Sequence, residues 1–383
     1  MKKLFLVFSV DSALLSHRKD LAVAALKQGY EVTIVAKDTG HKSQIMQMGF
    51  KFVDLPINRV GTNIFEEFKT LYFLIRLYKK EKPDIVHHVD LKIVLWGGLA
   101  ARLTKTRSVA NAVNGLGTFF ADGNFGSLSK RIFMRIIKFS HNRSNITTIF
   151  QNKDDKSIFI DRNILRETQT FMIKGSGIDL KTYAKKDLPH NDPIKIVFAA
   201  RIIQEKGILD LIDAAEILRP EYENKCQILI CGDIESNPHA ISKEELDRRC
   251  DGRYIIYKGH CPNMQQILET SDIAVLPSYY REGLPKFLIE ANAIGRPIIT
   301  TNSVGCKDAV VDGYNGFVVP IKNARAIAEK LRILIDDPQL RAEMGDHARR
   351  YAEQNFSLAN VIENHLYIYC LLYTSDAADD RIS

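Results

Sequence analysis

The sequence predicts an α/β protein of two domains, each built on a doubly wound parallel sheet. Short apolar runs alternate with longer segments of helical periodicity along the whole chain. This alternation is typical of right-handed crossovers that cover a parallel sheet with helices on both faces. The 383 residues exceed what one core ordinarily organises, and the pattern restarts after a loop signal at Asn191-Asp192-Pro193.

The first half contains five apolar runs of strand length, bounded by turn residues. The predicted strands are Leu4–Val10, Glu31–Ala36, Asp84–Val89, Ser108–Val113 and Thr147–Gln151. The predicted helices between them are His17–Gln28, Ile64–Lys80 and Ile93–Leu103. Because Asp11 interrupts the apolar start and no small-residue cleavage site follows, we interpret Met1–Val10 as a buried first strand rather than a signal peptide. No apolar run reaches the roughly 18 residues of a membrane-spanning helix.

The second half repeats the same alternation. Its predicted strands are Ile194–Ala200, Gln227–Cys231, Tyr254–Tyr257, Ile273–Pro277, Pro297–Thr300 and Gly316–Val318. Its predicted helices are Gly207–Leu218, Met264–Glu269, Leu284–Ile294 and Ala324–Asp336. In open α/β sheets ligands bind beyond the carboxyl ends of the strands, so we expect the two sheets to face a cleft that holds the site.

These patterns divide the chain into four parts. We expect a first domain at 1–180, a second at 190–356, and a helix at 357–372 that crosses back to the first domain. Residues 373–383 are small and polar without a packing pattern and look like translated sequencing-adapter sequence, so we expect them to be a non-native tail.

Charge is divided unevenly between the halves. Residues 1–180 hold 28 lysines and arginines against 16 aspartates and glutamates, whereas the remainder holds 25 against 30. A basic first half suits an anionic partner such as a phospholipid surface or a lipid diphosphate, although ordinary solvated charge explains it equally well. The six cysteines form no Cys-x-x-Cys pair and no metal-ligand spacing with histidine, which predicts reduced thiols in a cytoplasmic protein.

Two carboxylates flank a predicted helix start in the segment from Ser278 to Glu290. A strand ends at Pro277, the loop carries Glu282 and Gly283, and a helix begins near Leu284 with Pro285 in its first turn. Amides at a helix start favour anions, and carboxylates accept bidentate hydrogen bonds from sugar hydroxyls. Glu282 and Glu290 therefore lie at the two ends of a corner that suits a phosphorylated sugar.

A second cluster, with Arg201 and Lys206, lies between a strand and the helix that begins at Gly207. Two cations at the carboxyl end of a strand could clamp a diphosphate and stabilise it as a leaving group. Taken alone, either cluster is better explained as a solvated loop.

Together the clusters resemble glycosyltransferase family 4, on the two-domain GT-B fold of Rossmann-like units. The match includes Gly175-Ser176-Gly177-Ile178-Asp179, the cations Arg201 and Lys206, and the two glutamates with seven residues between them. It also includes Asp312-Gly313-Tyr314-Asn315-Gly316, which is similar to the family's turn into a late strand. The resemblance extends from the first strand to about residue 370.

The resemblance implies a role for each matching residue. Arg201 and Lys206 would hold the donor diphosphate, and Glu282 would contact the donor sugar as the third catalytic residue. Gly283, Leu284 and Pro285 would line the donor site, and Glu290 would bind the ribose hydroxyls. The family is retaining and needs neither a metal nor another cofactor, and the donor is expected to be a UDP-linked hexose or N-acetylhexosamine.

The acceptor side departs from the family pattern. Relatives often carry a histidine where this chain has Asn114, and the loop at Val10–Leu14 lacks the family's paired glycines. Both this loop and Asn111–Gly117 resemble the branch that acts on lipid-linked precursors of surface polysaccharides, which implies a polyprenyl-diphosphate acceptor. The candidate acceptor residues are Ser12, His88, Asn114 and Gly115, with a core role as the alternative for His88.

Residues 129–143 alternate basic and apolar side chains at helical spacing. Lys130, Arg131, Arg135, Lys138 and Arg143 are interleaved with six large apolar residues. An interfacial membrane helix has this composition, and so does an amphipathic helix packed on its own domain. We favour an anionic membrane surface, which predicts a protein at the inner face of the cytoplasmic membrane.

Other functions fit the sequence less well. An NAD-dependent oxidoreductase requires Gly-x-Gly-x-x-Gly after the first strand, and Val10–Leu15 contains no glycine. A nucleic-acid-binding protein would need a recognised module, which is missing. An inactive nucleotide-sugar-binding protein and a non-hydrolysing sugar-nucleotide epimerase remain as alternatives, since both would share the architecture.

Overall fold

The structure is a computed structural model that describes residues 1–58, 63–117, 128–189, 191–234 and 240–379. The chain divides into two compact units. The first consists of Met1–Ser176 together with the C-terminal segment from Ala359, and the second of Gly177–Leu358. The predicted boundaries at 180 and 356 lie close to these positions.

The first unit is a parallel sheet of seven strands in the order β3-β2-β1-β4-β5-β6-β7. Its strands are β1 Lys2–Val10, β2 Tyr30–Lys37, β3 Lys51–Asp54, β4 Ile85–Val89, β5 Ser108–Val113, β6 Ile146–Phe150 and β7 Thr170–Met172. Its helices are α1 Ser12–His17, α2 Lys19–Lys27, α3 Lys42–Gln47, α4 Ile64–Glu81, α5 Leu91–Leu103, α6 Leu128–His141, α7 Lys153–Asp161 and, at the chain's end, α14 Leu358–Asp379.

The second unit is a parallel sheet of six strands in the order β10-β9-β8-β11-β12-β13. Its strands are β8 Ile194–Ala199, β9 Cys226–Cys231, β10 Ile255–Gly259, β11 Ile273–Leu276, β12 Ile298–Thr301 and β13 Gly316–Val319. Its helices are α8 Ile208–Tyr222, α9 Lys243–Arg249, α10 Met264–Glu269, α11 Lys286–Ile294, α12 Ala324–Asp336 and α13 Pro338–Asn355. Two doubly wound parallel sheets confirm the predicted α/β class.

Alternate residues of the central strand β1 enter different cores. Leu4, Leu6 and Phe8 pack with residues of α2 and α14, whereas Phe5 and Val7 pack with residues of α4 and α5. All five are nearly inaccessible to solvent. This burial on both faces is what an uninterrupted apolar run predicts for a central parallel strand.

Several boundaries differ from the sequence prediction. The helix predicted at His17–Gln28 is α2, Lys19–Lys27, and a helix that was not predicted, α1, precedes it, with the buried Arg18 between the two. The edge strands β3 and β7 were not predicted, because they are short and only partly buried and therefore carry no long apolar run. Helix α14 continues to Asp379 and so includes part of the predicted tail, while residues 380–383 lie outside the described residues.

Helix α14 is held in the first unit by polar as well as apolar contacts. The Tyr369 hydroxyl lies 2.6 Å from His87 Nδ1, and the Ser108 hydroxyl donates to the Leu372 carbonyl. None of the described helices combines the length and apolar content that a membrane span requires. No disulfide joins any of the described cysteines.

A buried chain of hydrogen bonds joins β4, β5 and α6. His88 Nε2 lies 3.0 Å from the Tyr78 hydroxyl, and its Nδ1 lies 2.8 Å from Asn111 Oδ1. Asn111 Nδ2 lies 2.8 Å from His141 Nε2, and His141 Nδ1 lies 2.9 Å from the Ile137 carbonyl. The prediction that His88 is an acceptor residue is wrong, because both ring nitrogens are occupied and the side chain is fully buried.

One proton arrangement with neutral imidazoles satisfies every donor and acceptor of this chain. His141 carries its proton on Nδ1, which donates to the Ile137 carbonyl, and its Nε2 accepts from the Asn111 amide. Asn111 Oδ1 then accepts from His88 Nδ1, and His88 Nε2 accepts from Tyr78. Both histidines are neutral, and burial lowers the pKa of His88 and of His141 to about 4.

These histidines predict acid destabilisation of the first unit. The unfolded chain binds their protons near the ordinary pKa of 6.5, whereas the folded chain binds them only near 4. These histidines therefore leave the free energy of unfolding unchanged above pH 6.5 and lower it as the pH drops toward 4. Urea unfolding followed by fluorescence of Trp96, the only tryptophan, reports on this unit.

His141→Gln should flatten that decline, because an amide accepts the Asn111 hydrogen bond and does not titrate. His260→Gln is the control, since His260 is an exposed residue of the second unit. An equally steep decline in His141→Gln and in the wild type would contradict the assignment.

Candidate functional site

The candidate site of the second unit lies where the strand order reverses. Strands β8 and β11 are neighbours in the sheet, yet their crossover helices lead in opposite directions. Loops at such a switch point diverge and leave room for a ligand. The loop after β8 carries Arg201 and Lys206, and the loop after β11 carries Glu282 and Gly283.

Lys206 and Glu282 form a close ion pair across these two loops. Lys206 Nζ lies 2.6 Å from Glu282 Oε1, and the two side chains are 8% and 18% exposed. The Ser278 hydroxyl lies 3.3 Å from the same carboxylate oxygen and 3.2 Å from the Glu205 carbonyl, and its single proton is shared between these two acceptors. Removing either partner would leave a poorly solvated charge, so the pair favours the arrangement in which the two loops lie close together.

Tyr280 brings the second cation to this pair. The Tyr280 ring centroid lies 5.6 Å from the Arg201 guanidinium carbon and 5.2 Å from Lys206 Nζ. Both distances are within the range of cation–π attraction. The structure therefore brings Arg201 and Lys206 to one aromatic ring and pairs Lys206 with Glu282, and the sequence analysis did not identify the role of this ring.

The backbone of Glu205 ties the two loops together. Its carbonyl accepts hydrogen bonds from the amides of Tyr279 and Tyr280, at 2.8 and 3.0 Å, and from the Ser278 hydroxyl at 3.2 Å. Three donors on one carbonyl fix the start of the β11 loop relative to the turn that carries Lys206. The cation and the carboxylate are thus positioned by main chain, which has fewer degrees of freedom than side chains.

Two glycines permit this close approach. A Cβ on Gly207 would lie 2.1 Å from the Pro277 carbonyl oxygen, and a Cβ on Gly305 would lie 1.8 Å from that of Gly283. Both residues also have positive φ values, +74° and +87°. Only glycine fits at these two positions without displacing the loop that carries Glu282.

Glu290 belongs to a separate set of contacts on α11. It is 5% exposed, its Oε1 accepts a hydrogen bond from the Tyr183 hydroxyl at 3.0 Å, and Lys286 Nζ lies 3.6 Å away. Burial raises the pKa of the Glu290 carboxyl. The sequence analysis missed Tyr183, because 106 residues separate it from Glu290 and no motif includes it.

Pro285 precedes helix α11 rather than occupying its first turn. It is the N-cap, with the extended angles φ −61° and ψ 128°, and the helix begins at Lys286. The Leu284 side chain is 7% exposed and packs in the core of the unit. Any donor contact of Gly283 and Leu284 would therefore come from their backbone amides.

The candidate acceptor residues lie at the carboxyl edge of the first sheet. Ser12 begins α1 directly after β1, and Asn114 and Gly115 follow β5. Asn114 Oδ1 accepts a hydrogen bond from Gln151, which follows β6, at 2.8 Å. Strand β1 borders the switch point between β1 and β4, so Ser12 occupies the place that Arg201 occupies in the second unit.

Two family profiles match the chain, one in each unit. Residues 3–153 match the family described as "Glycosyl transferase 4-like", and residues 181–351 match "Glycosyl transferases group 1". Two parallel sheets with a charged site at a switch point agree with this assignment. The chain belongs to the GT-B glycosyltransferases of the family 4 type, as its motifs predict.

Curated relatives match over most of the chain. It is 27% identical over 343 residues to the N,N'-diacetylbacillosaminyl-diphospho-undecaprenol alpha-1,3-N-acetylgalactosaminyltransferase of Campylobacter jejuni, covering 85% of this chain and 87% of the relative. It is 23% identical over 353 residues to the UDP-Gal:alpha-D-GlcNAc-diphosphoundecaprenol alpha-1,3-galactosyltransferase of Escherichia coli, covering 89% of each.

Solved structures share the fold at low sequence identity. Sucrose-phosphate synthase from Thermosynechococcus elongatus has a TM-score of 0.77 at 18% identity, covering 98% of this chain and 100% of that one. HepE of Anabaena, solved in complex with UDP, has a TM-score of 0.76 at 17% identity, covering 97% and 100%. Likeness at this level confirms the GT-B fold.

Gly207→Ala should disrupt the site, because the added methyl group overlaps the Pro277 carbonyl. The positive φ costs about 1–2 kcal/mol and the overlap about 1–3 kcal/mol more in the free energy of unfolding. Gly252→Ala is the matched control, because Gly252 has the same φ of +74° and nothing lies within 4 Å of an added Cβ. Calorimetric unfolding that is equal in the two variants would show that the close approach is not needed.

Proposed function

We propose that this protein is a retaining, metal-independent glycosyltransferase. It transfers a hexose or an N-acetylhexosamine from a nucleotide-diphosphate sugar, with UDP as the expected nucleotide, to a polyprenyl-diphosphate-linked acceptor. The observation that carries the proposal is the gathering of Arg201, Lys206 and Glu282 at the switch point between β8 and β11. The names of the Campylobacter and Escherichia relatives support an undecaprenyl-diphosphate acceptor, and the Escherichia name supports a UDP-sugar.

The two cations are proposed to bind the donor diphosphate. Arg201 offers a planar fork of donors, and Lys206 a point charge held beside it by Glu282. As the bond between the anomeric carbon and the diphosphate breaks, negative charge develops on the leaving oxygen, and these two cations stabilise it. They thereby supply charge that a divalent cation supplies in other transferases.

The carboxylates are proposed to bind hydroxyl groups. Glu282 is held at one oxygen by Lys206 and Ser278, and its role would be to accept a hydrogen bond from the donor sugar. Glu290 would accept from the ribose. The backbone amides of Gly283 and Leu284, next to the positive end of α11, would face the sugar or the phosphate.

Retention is proposed to occur by attack on the same face of the sugar. The acceptor hydroxyl approaches the anomeric carbon from the side of the departing diphosphate, which accepts the hydroxyl proton. In the first unit Asn114, with its amide oxygen held by Gln151, Gly115 and Ser12 are the proposed contacts for the acceptor or the sugar.

We propose that the protein binds its lipid-linked acceptor at an anionic membrane surface. The inner face of α6 is buried through Lys130, Ile137, Ser140 and His141. Its outer face is exposed and carries three cations and three large apolar residues: Arg131, Arg135, Lys138, Leu128, Ile132 and Phe139. Cations beside apolar side chains on one helix face suit the headgroup region of a bilayer.

Helix α4 adds an apolar surface to the same unit. Ile64, Phe65, Phe68 and Tyr72 follow one another at helical spacing and are 58–81% exposed. Both α4 and α6 pack against α5, so they belong to one helical layer of the sheet. Aromatic side chains exposed on such a layer would insert at the interface that the α6 cations approach.

Alanine at either cation tests the donor site. Arg201→Ala and Lys206→Ala should each slow sugar transfer by at least ~10²-fold, as loss of a charge-stabilising donor typically does. Glu282→Gln should mainly lower kcat, and Glu290→Gln should mainly raise the donor KM. Transfer to polyprenyl-diphosphate-linked sugars, measured with radiolabelled nucleotide sugars, is the assay.

Lys258→Ala is the control, because Lys258 is an exposed cation of the same unit. Near-normal turnover in both cation variants would contradict the donor site. Epimerisation of the free nucleotide sugar without transfer would favour the epimerase, and nucleotide binding without either reaction would favour an inactive binding protein.

Charge reversal on α6 tests the membrane surface. The triple variant Arg131→Glu/Arg135→Glu/Lys138→Glu should lose binding to vesicles of anionic phospholipid, at about 1 kcal/mol for each cation near the surface. Wild-type binding should weaken as salt rises, because exposed charges are screened.

The matched control reverses three exposed lysines of the second unit, Lys225, Lys243 and Lys258, with the same change of net charge. Equal loss of vesicle binding in both triple variants would assign binding to net charge rather than to α6. Binding that is insensitive to salt would also count against the proposal.

A further inference from the structure

The Glu290 carboxylate is half satisfied by the protein. Oε1 accepts a hydrogen bond from the Tyr183 hydroxyl at 3.0 Å and lies 3.6 Å from Lys286 Nζ. Within the described ranges Oε2 receives no hydrogen bond, and it is not one of the fully enclosed polar atoms that lack a partner. A carboxylate that is 5% exposed therefore keeps one oxygen open to a ligand.

Such an oxygen is costly unless a ligand uses it. Burying an acceptor without a hydrogen bond destabilises a protein, and charge increases that cost. Here burial already raises the pKa of Glu290. A residue of this kind in the interior of α11, whose other side chains are mostly apolar, points to recognition of a donor group.

Tyr183 is held in a fixed position relative to α11, the helix that carries Glu290. Its amide donates to the Asp179 carbonyl at 2.8 Å. Its carbonyl accepts from Arg349 at 2.6 Å, and Arg349 also binds the carbonyls of Leu180 and Ala293. Because main-chain bonds hold the residue in place, the Tyr183 hydroxyl is a fixed point from which the carboxylate is oriented.

Lys286 alone could not provide this orientation. Its side chain is 45% exposed, on the same helix as Glu290, and its ammonium group is 3.6 Å from the carboxylate. A flexible, solvated lysine at the helix surface would draw the carboxylate outward as readily as hold it in place. The hydrogen bond from the Tyr183 hydroxyl is shorter and more directional than the contact with Lys286, and it comes from a segment outside α11.

We propose that Tyr183 is a positioning residue for the nucleotide ribose and sets the preference for a ribonucleotide donor. This role of Tyr183 rests on the proposed role of Glu290 as the ribose-binding carboxylate. The Tyr183 hydroxyl fixes the carboxylate plane. The open Oε2 and the remaining lone pair of Oε1 then accept from the two adjacent ribose hydroxyls. A deoxyribose, which lacks one donor, leaves one of these acceptors unpaired.

The test compares Tyr183→Phe with the wild type in binding UDP and 2′-deoxy-UDP by titration calorimetry. The wild type should prefer UDP by about tenfold, the worth of one hydrogen bond to a charged group. Tyr183→Phe should weaken UDP binding roughly 3- to 10-fold and weaken 2′-deoxy-UDP binding less, because that nucleotide keeps only the 3′-hydroxyl, so that the preference falls toward one. In the transfer assay the donor KM should rise while kcat stays within about twofold.

Two further variants separate positioning from general stability. Tyr351→Phe is the matched control, because the Tyr351 hydroxyl likewise donates one hydrogen bond over 3.0 Å within this unit, to the Asp308 carbonyl. It should leave the UDP preference unchanged. Tyr183→Phe/Glu290→Gln should bind UDP no more weakly than Glu290→Gln alone, because both changes remove the same interaction.

The outcomes distinguish this inference from the proposed function. If Glu290→Gln abolishes the UDP preference while Tyr183→Phe retains it, Tyr183 has no positioning role and the ribose assignment of Glu290 stands. If the wild type binds UDP and 2′-deoxy-UDP equally, and likewise GDP and ADP with their deoxy counterparts, both assignments are overturned. If it binds no nucleoside diphosphate, the proposed function itself falls.

Discussion

The candidate donor site depends on the contact between the two loops that leave β8 and β11. The Glu205 carbonyl accepts two backbone amides and a hydroxyl from the β11 loop, and Gly207 lies against the Pro277 carbonyl with no room for a side chain. Parallel strands deliver both loops to one edge of the sheet, and the reversal of strand order keeps their helices apart. These constraints bring Lys206 to within 2.6 Å of Glu282.

The ion pair has a consequence for donor binding. Lys206 already has an anionic partner, so a diphosphate must share the ammonium group with Glu282 or replace it there. Tyr280 places Arg201 and Lys206 over one ring, which holds two like charges near each other before an anion arrives. The two cations are thus brought together when the protein folds, and a diphosphate bound as proposed would relieve the repulsion between them.

In the first unit, one chain of buried polar side chains is fully hydrogen-bonded within the protein and leaves no group open to a ligand. The chain from Tyr78 through His88, Asn111 and His141 satisfies each nitrogen within the core, and burial keeps both imidazoles neutral. Glu290, by contrast, keeps an oxygen open. A fully satisfied buried group fixes structure, whereas a partly satisfied one at a carboxyl edge is available to a ligand. The same criterion removes His88 from the candidate site and keeps Glu290 in it.

The sequence by itself determined the α/β class and the two parallel sheets, and it singled out the charged residues of the candidate donor site. Periodicity reports burial, and Arg201, Lys206, Glu282 and Glu290 lie in short, specific segments. Only the tertiary structure decided that Lys206 pairs with Glu282, that Tyr280 bridges the cations, and that Tyr183 binds Glu290. It also decided that His88 is internal and that a further helix, α1, precedes α2. These facts join residues far apart in the chain, and local patterns carry no information about such contacts.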